Sequence, residues 1–328
     1  MFNKYRVKLN KIYFVSLTEW NLNNKVMKKN VLITGGTGFV GKHLTQLLLE
    51  NGYTVSILSR TKKNNTDSVF YYTWDVKKQV IEKESVLNAD YIIHLAGENI
   101  AGKRWSKERK EAIINSREQS AQLLYGVVKK QGKKLDAFIS ASGVGIYGAI
   151  NGQAICVEEQ KPANDFLGLT CQKWEAVANE FQREGIRTVK VRTGLVLGKN
   201  DGFLEKLKPI FKYRLGSALG SGTQFMPWIH IDDLCAIYLE ALKNNTISGA
   251  YNAAVTDDTT NASFSNTFAT VYGYKIWLPN VPAFILKIGL GEMAKLLLTG
   301  RRVSNDKIKS TGFTFKWKNL EDAIRSCI

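Results

Sequence analysis

A short apolar segment that runs directly into a glycine-rich turn constrains the fold more than any other part of this sequence. The segment NVLIT (30–34) predicts a buried strand, and GGTGFVG follows it at residues 35–41. Beyond the turn, apolar residues recur at helical spacing as far as Gly52. A strand, a glycine turn and a helix in this order predict a βαβ unit that binds a dinucleotide pyrophosphate at the helix N-terminus.

The residues of this turn have distinct predicted roles. Gly35 permits the tight bend, Gly38 lets the backbone approach the pyrophosphate, and Gly41 lets the helix pack closely on the strand. We therefore predict that the pyrophosphate is held by Gly35, Thr37, Gly38, Phe39 and Val40.

Apolar strands continue to alternate with helical segments as far as about residue 195, which predicts a parallel sheet covered on both faces. After this point glycine-rich loops interrupt the pattern, and 281–298 is expected to form one apolar helix. We predict an α/β fold in which 27–195 form a Rossmann-type doubly wound parallel sheet, completed by parts of 225–255. Residues 196–328 are predicted to form a smaller, mixed and largely helical substrate lobe.

The end of the second predicted strand, TVSILSR (54–60), indicates which dinucleotide binds. A carboxylate at this place would bind the ribose 2′-hydroxyl of NAD, but the sequence has Ser59 and Arg60, followed by Lys62 and Lys63. A hydroxyl and cations suit a 2′-phosphate, because guanidinium–phosphate pairing is charge-assisted. We predict NADP as the cofactor, selected by Ser59 and Arg60; the alternative is a solvated basic loop.

Three further motifs resemble those of the extended short-chain dehydrogenase/reductase superfamily. HLAG (94–97) resembles the strand motif that lies along the cofactor, ISASGVGIYG (139–148) resembles the segment that carries the active-site serine, and WIHIDDL (228–234) resembles a helix start. The resemblance implies that Leu95 and Ala96 lie along the cofactor. Arg117, on the next helix, faces either the cofactor phosphates or solvent, and the resemblance favours the phosphates.

A narrower resemblance covers the chain from about 27 to 328. Segments such as HLAGENIAGKRW, LGSGTQFMPWIHIDD and LGEMAKLLLTGRRV are similar to an epimerase-family subgroup with a small C-terminal helical domain of unknown function, here at about 278–328. This resemblance implies NADP binding, and it implies no substrate.

The acid/base motif of this superfamily, Tyr-x-x-x-Lys, is absent from the place where the resemblance puts it. In the superfamily the lysine binds the nicotinamide ribose and lowers the tyrosine pKa, which makes proton transfer feasible near neutrality. When the segment NDFLGLTCQKWEAVANE (164–180) is aligned on Glu175, Leu167 takes the tyrosine place and Cys171 the lysine place. Tyr125 and Lys129 have the right spacing on the preceding helix, which we interpret as coincidence.

Two hydroxyl groups are candidates for the chemistry in the absence of this motif. Ser142 matches the superfamily serine and Tyr147 follows at the mouth of the same strand, so we predict that they polarise a carbonyl and transfer a proton. A structural aromatic is the alternative for Tyr147. Glu98 is either a general acid or a cap, and Cys171 is either a pocket thiol or a small buried hydrophobe.

The composition limits the classes of partner that we expect this chain to bind. A net charge of +17, from 46 basic and 29 acidic side chains, attracts phosphates, but the basic residues form no stripe with aromatics, so we predict no nucleic-acid partner. No apolar run approaches the ~20 residues of a membrane span, so we predict no membrane partner. Four separated cysteines and no metal-ligand spacing indicate a cytoplasmic protein without metal. We expect residues 1–26 to be a flexible or non-native extension and the protein to be a monomer or homodimer.

These observations favour one function and leave another open. The favoured hypothesis is an NADP-binding oxidoreductase or epimerase that acts on an unidentified small molecule. The alternative is a non-catalytic, NADP-dependent binding or sensor protein, because the acid/base motif is missing.

Overall fold

The computed structural model describes residues 28–328, so the extension predicted at 1–26 lies outside the described residues. The described strands are β1 (Asn30–Thr34), β2 (Thr54–Ser59), β3 (Val69–Asp75), β4 (Val80–Ile81), β5 (Tyr91–His94), β6 (Ala137–Gly143), β7 (Gly152–Cys156), β8 (Thr188–Thr193), β9 (Leu195–Leu197), β10 (Trp228–His230), β11 (Gly249–Ala253) and β12 (Arg301–Val303).

The described α-helices alternate with the strands in the first half of the chain and dominate the second half. They are α1 (Phe39–Glu50), α2 (Glu84–Leu87), α3 (Lys107–Gln131), α4 (Phe166–Arg183), α5 (Phe203–Lys212), α6 (Ile231–Lys243), α7 (Asn261–Val271), α8 (Ala283–Leu290), α9 (Lys295–Leu298), α10 (Asp306–Lys309) and α11 (Leu320–Cys327).

An eight-stranded sheet with the order β11-β8-β6-β5-β1-β2-β3-β4 forms the centre of the fold. Its neighbouring strands are parallel except for the pair β3–β4. Successive strands move outwards in opposite directions from β1, so the strand order reverses between β1 and β5 and leaves a crevice at their carboxyl ends. This confirms the predicted doubly wound parallel sheet, and β11 from the C-terminal half is one of its edge strands.

Side chains of each central strand alternate between two hydrophobic cores, as a strand buried on both faces requires. In β1, Val31 and Ile33 join the core that contains buried residues of α1 and α6. Leu32 joins the opposite core, which contains buried residues of α3 and α4. The sheet is therefore fixed from both sides, and the loops at its carboxyl edge are held in place.

The prediction of one apolar helix over 281–298 is wrong. Helix α8 ends at Leu290, a 3₁₀ turn follows at Gly291–Ala294, and α9 begins at Lys295. Gly291 has a φ of +59°, and a β-carbon there would lie 2.6 Å from Nε of Arg104. The close approach of this arginine and the left-handed backbone interrupt the helix. None of the described helices has the length and the apolar composition that crossing a bilayer requires.

Candidate functional site

The glycine turn between β1 and α1 has the geometry of a phosphate-binding loop. Gly35 has a φ of +72°, which favours glycine, and a β-carbon there would lie 3.0 Å from the backbone carbon of Leu95. At Gly41 a β-carbon would lie 2.3 Å from the carbonyl oxygen of Gly35, so the first turn of the helix packs directly on the turn that precedes it. The predicted close packing at Gly41 is thus observed, but against the turn rather than the strand.

The first turn of α1 is open to an anion. Its N-cap is Gly38, no side chain caps the helix, and no acidic residue lies in its first turn. The ring of Phe39 packs against the segment after β9, since a β-carbon at Gly198 would lie 2.5 Å from its Cζ. Backbone N–H groups and the positive end of the helix dipole are therefore available to a pyrophosphate.

The end of β5 lies beside the glycine turn. The hydroxyl of Thr34 accepts hydrogen bonds from the backbone N–H groups of Leu95 (3.2 Å) and Ala96 (3.1 Å). These bonds hold the chain after β5 in extended form next to β1, at the reversal of the strand order. Leu95 and Ala96 consequently border the crevice in which open α/β sheets bind their ligands.

Three arginines surround a single carboxylate at the carboxyl edge of the sheet. Glu98 accepts a hydrogen bond of 2.9 Å from Arg109, which is the main reason why the pKa of Glu98 is lowered; the charges of Arg109, Arg60 and Arg117 lower it further. Glu98 is therefore ionised at neutral pH and unsuited to the role of general acid. Buried Ser59 precedes exposed Arg60 at the end of β2, where no carboxylate is present.

Arg117 lies on α3 and reaches towards the end of β5. A β-carbon at Gly97 would lie 3.0 Å from its Cζ, and its guanidinium lies 4.9 Å from the ring centroid of Trp174. Its Nη1 donates to the carbonyl oxygen of Ile113 at 2.8 Å. Arg117 is thus directed into the fold beside the residue that follows Leu95 and Ala96, rather than out into solvent.

Leu167 and Cys171 occupy the positions at which the superfamily has its tyrosine and lysine. Leu167 packs with Trp105 and Met293 in a small hydrophobic cluster. Cys171 lies one turn further along α4, and its thiol lies 3.6 Å from the carbonyl oxygen of Gly143. Burial, and then the charge of Glu175, raise the pKa of the Cys171 thiol to about 11, so it is neutral at physiological pH.

A buried ion pair lies next to Ser142, which is on β6. Arg192 on β8 donates to both carboxylate oxygens of Glu175, from Nε at 2.8 Å and from Nη2 at 2.9 Å. The hydroxyl of Ser142 donates to the same carboxylate at 2.7 Å. Burial lowers the pKa of Arg192, but the hydrogen bonds and charge of Glu175 outweigh it and raise the pKa above its usual value. Ser142 is therefore fixed in orientation by a charged neighbour.

Tyr147 lies within the same polar network. Its hydroxyl donates to Asn252 Oδ1 at 2.7 Å and accepts from Arg192 Nη1 at 3.1 Å, and its side chain is 1% exposed. Burial raises the pKa of Tyr147 to about 12. This environment favours the structural alternative for Tyr147, and the predicted proton transfer stays a prediction.

The sequence analysis missed the partners of this network. Glu158 is buried and accepts a hydrogen bond of 2.7 Å from the backbone N–H of Asn252. Arg192 lies in the segment RTG and Asn252 in an apolar strand, and neither has a sequence signal beyond a polar residue within a buried strand. Such a residue in an interior strand predicts a buried partner, because an unpaired polar group there is costly.

The buried histidines have structural partners. His94 accepts a hydrogen bond from Trp174 Nε1 at 3.1 Å, and its Nε2 lies 2.8 Å from the hydroxyl of Ser120. Burial lowers the pKa of His94 to about 3, so it is neutral. His230 Nδ1 accepts from the backbone N–H of Asp232 at 3.1 Å and caps α6. Within residues 28–328 no group of histidine, cysteine and carboxylate side chains is placed to hold a metal ion.

About nine-tenths of the chain is similar to known proteins. Residues 31–254 match the NAD dependent epimerase/dehydratase family, and residues 281–327 match a domain of unknown function, DUF1731. Epimerase family protein YfhF of Bacillus subtilis is 33% identical over 299 residues, which are 91% of this chain and 98% of that protein.

Solved structures agree with this match. A crystal structure of the human epimerase family protein SDR39U1 with NADPH has a TM-score of 0.80 at 32% identity, over 90% of this chain and 98% of that chain. UDP-glucose 4-epimerase of Thermotoga maritima has a TM-score of 0.72 at 19% identity, over 90% of this chain and 96% of that chain, and shows the likeness of fold alone. The resemblance expected from the motifs is confirmed. The chain therefore belongs to the NAD dependent epimerase/dehydratase family, with the DUF1731 domain at its C-terminal end.

Proposed function

We propose that the chain binds NADP and acts as an oxidoreductase or epimerase on a small molecule. One observation carries the choice of NADP: β2 ends at Ser59 and exposed Arg60 follows, with no carboxylate at the place where one would bind the ribose 2′-hydroxyl of NAD. The positive charge at this carboxyl edge of the sheet suits a cofactor with a pyrophosphate and a 2′-phosphate. The human relative whose crystal structure contains NADPH supports the same choice.

The residues that would hold the cofactor fit its chemistry. Gly35, Thr37, Gly38, Phe39 and Val40 offer an open helix N-terminus to the pyrophosphate. Ser59 and Arg60 face the 2′-phosphate from the end of β2, and Leu95 and Ala96 border the cofactor from the end of β5. When bound, NADP supplies hydride exchange at its nicotinamide ring.

Ser142 is our candidate for polarising a substrate carbonyl. It lies on β6, at the carboxyl edge of the sheet, and its single O–H donates to the Glu175 carboxylate at 2.7 Å, so this role requires the O–H to turn from Glu175 to the substrate. Tyr147 is a weaker candidate for proton transfer, because its hydroxyl already has two buried partners.

A non-catalytic binding or sensor protein is the second candidate. It is favoured by Leu167 and Cys171, which leave the sequence without the acid/base pair of the superfamily. A panel of aldehydes and ketones, offered to the protein with bound NADPH, discriminates between the two. Oxidation of NADPH by any of them supports the enzyme, and no oxidation by the whole panel favours the sensor.

A titration followed by nicotinamide fluorescence tests the proposed cofactor. We expect NADPH to bind at least about tenfold more tightly than NADH, the effect of one hydrogen bond between charged groups. Arg60→Met should abolish this preference, whereas the matched control Lys78→Met, on an exposed turn, should retain it. Equal affinity for the two cofactors would contradict the choice of NADP, and no binding of either would contradict the proposed function.

A cytoplasmic location is also proposed, and the four cysteines without disulfides support it.

A further inference from the structure

Arg117 is a positively charged side chain that its protein neighbours do not neutralise. Within residues 28–328 it forms no ion pair, and its only hydrogen bond uses Nη1, which donates to Ile113. Glu98, the nearest carboxylate that acts on its charge, is already bound by Arg109 at 2.9 Å. A guanidinium has five N–H donors, so Arg117 retains donors without a protein acceptor.

The surroundings of Arg117 withdraw its charge only partly from water. Its side chain is half-buried between the backbone at Gly97 and the face of Trp174. Burial lowers the pKa of Arg117, and the nearby Arg109 lowers it as well, although Cys171 and Glu98 oppose this. Nε and Nη2 are nevertheless not sealed from solvent, unlike the Nε of Arg109. An acceptor can therefore approach Arg117 from the open side.

The sheet order shows which part of a dinucleotide lies next to Arg117. In a doubly wound sheet the two halves of a dinucleotide lie on opposite sides of the strand reversal, here between β1 and β5. Arg60 follows β2 and belongs to the adenosine side. Gly97 follows β5, and Gly143 ends β6, so the groups around Arg117 belong to the nicotinamide side.

Cys171, at the place of the superfamily lysine, lies about one helical turn before Trp174, and the Arg117 guanidinium lies 4.9 Å from the ring centroid of Trp174. Its thiol lies 3.6 Å from the carbonyl oxygen of Gly143, and the positive charge of Arg117 lowers the pKa of this thiol, against the larger effect of burial. Helices α3 and α4 therefore place a cation and the vacated lysine position next to each other. The Cys171 position on α4 carries no positive charge, whereas Arg117 on α3 does.

We propose that Arg117 supplies from α3 the cation that the superfamily lysine supplies from α4, and that it donates to the hydroxyls of the nicotinamide ribose. This inference rests on the proposed NADP binding. It differs from the expectation that Arg117 faces the cofactor phosphates. It also explains how the site can retain a positive charge beside the nicotinamide half although Cys171 is neutral.

A fragment of the cofactor tests this assignment without any need for an activity. Adenosine 2′-phosphate 5′-diphosphate carries the 2′-phosphate and both bridging phosphates of NADPH, but it lacks the nicotinamide ribose. Arg117→Met is expected to weaken NADPH binding by at least about tenfold, as for a lost hydrogen bond to a charged group, and to change binding of the fragment by less than about twofold. Arg60→Met is the control and should weaken both ligands. Calorimetric titration measures all of these affinities.

Three results would overturn the proposal while wild-type binding of NADPH still upheld the proposed function. Arg117→Met could bind NADPH like the wild type, it could lose both ligands equally, or Arg117→Lys, which keeps the charge, could lose as much affinity as Arg117→Met. If Arg117→Met does not fold, Arg117→Lys is the variant that tests the proposal. It should melt near the wild-type temperature and bind NADPH within about threefold of the wild-type affinity.

A double variant tests the relocation of the charge directly. Cys171→Lys combined with Arg117→Met returns the cation to α4, and we expect it to bind NADPH at least about threefold more tightly than Arg117→Met alone. A folded double variant with no gain in NADPH affinity would contradict the relocation.

Discussion

Removal of Arg192 is the perturbation whose consequence the structure defines most sharply. The Arg192 side chain is 7% exposed and binds both carboxylate oxygens of Glu175, whose side chain is 8% exposed. Arg192→Met would leave Glu175 buried with only the hydroxyl of Ser142 as a side-chain partner. Breaking a buried ion pair from one side costs about 3–5 kcal/mol, so we expect a loss of this size in the free energy of unfolding.

The double variant Arg192→Met/Glu175→Gln shows whether this loss comes from the uncompensated charge. Glutamine keeps an acceptor for Ser142 and removes the charge, so the double variant should be more stable than Arg192→Met by at least about 2 kcal/mol. Arg325→Met is the matched control, because Arg325 pairs with Glu321 at an exposed position, and it should cost less than about 1 kcal/mol.

Urea unfolding followed by tryptophan fluorescence and circular dichroism measures these differences. Coincident transitions and unchanged m-values would establish that the variants are compared between the same two states. If Arg192→Met cost no more than Arg325→Met, or if the two substitutions of the double variant were additive, the argument from the buried pair would be refuted.

Three further predictions concern the glycine turn, the buried tyrosine and the buried histidine. Gly41→Ala should weaken NADPH binding by at least about tenfold, because its β-carbon would lie 2.3 Å from a backbone oxygen. In the control Gly126→Ala the β-carbon would meet no described atom within 4 Å beyond its chain neighbours and the adjacent helix backbone, so this variant should bind normally and be up to about 1 kcal/mol more stable. Tyr147→Phe should lower the free energy of unfolding by about 1–3 kcal/mol while NADPH titration shows unchanged affinity, and weaker binding would instead place this hydroxyl at the cofactor. His94 has a pKa of about 3 when folded and the usual value of 6.5 when unfolded, so the unfolded chain binds the extra proton between these values. Stability should therefore fall with decreasing pH across this window by up to about 1.4 kcal/mol per pH unit, and His94→Asn should have a shallower slope in urea unfolding than the wild type.

The geometry of the glycine turn could be predicted because its signals are local. A tight turn, a close approach of two backbones and an open helix N-terminus each require a particular residue at a particular place, so GGTGFVG specifies them within seven residues. The charge at the end of β2 is likewise visible in adjacent residues. The direction of Arg117 was not visible, since a residue on a long amphipathic helix can face solvent or the sheet until its neighbours are known.

The surroundings of Ser142 and Tyr147 could not be predicted from the sequence, because a hydroxyl at the end of a strand can face either solvent or a polar interior. Tyr147 and Asn252 are 105 residues apart in sequence and share a hydrogen bond of 2.7 Å. Nothing near Tyr147 in the sequence indicates this partner, because Asn252 comes from the edge strand β11 of the C-terminal half. The broken helix at Gly291 has a similar origin, since the side chain that approaches it, Arg104, comes from the loop after β5.

The sequence by itself determined the doubly wound sheet, the glycine turn and the absence of Tyr-x-x-x-Lys from the helix that follows Ser142. Hydrophobic periodicity and backbone conformation are set by neighbouring residues, so these features follow from short segments. Only the tertiary structure decided that Glu175 and Arg192 form a buried pair, that Tyr147 is enclosed, and that Arg117 brings a cation beside Cys171. These contacts join strands and helices that are distant in sequence, and their energies depend on burial, which exists only after the sheet and its helices have packed.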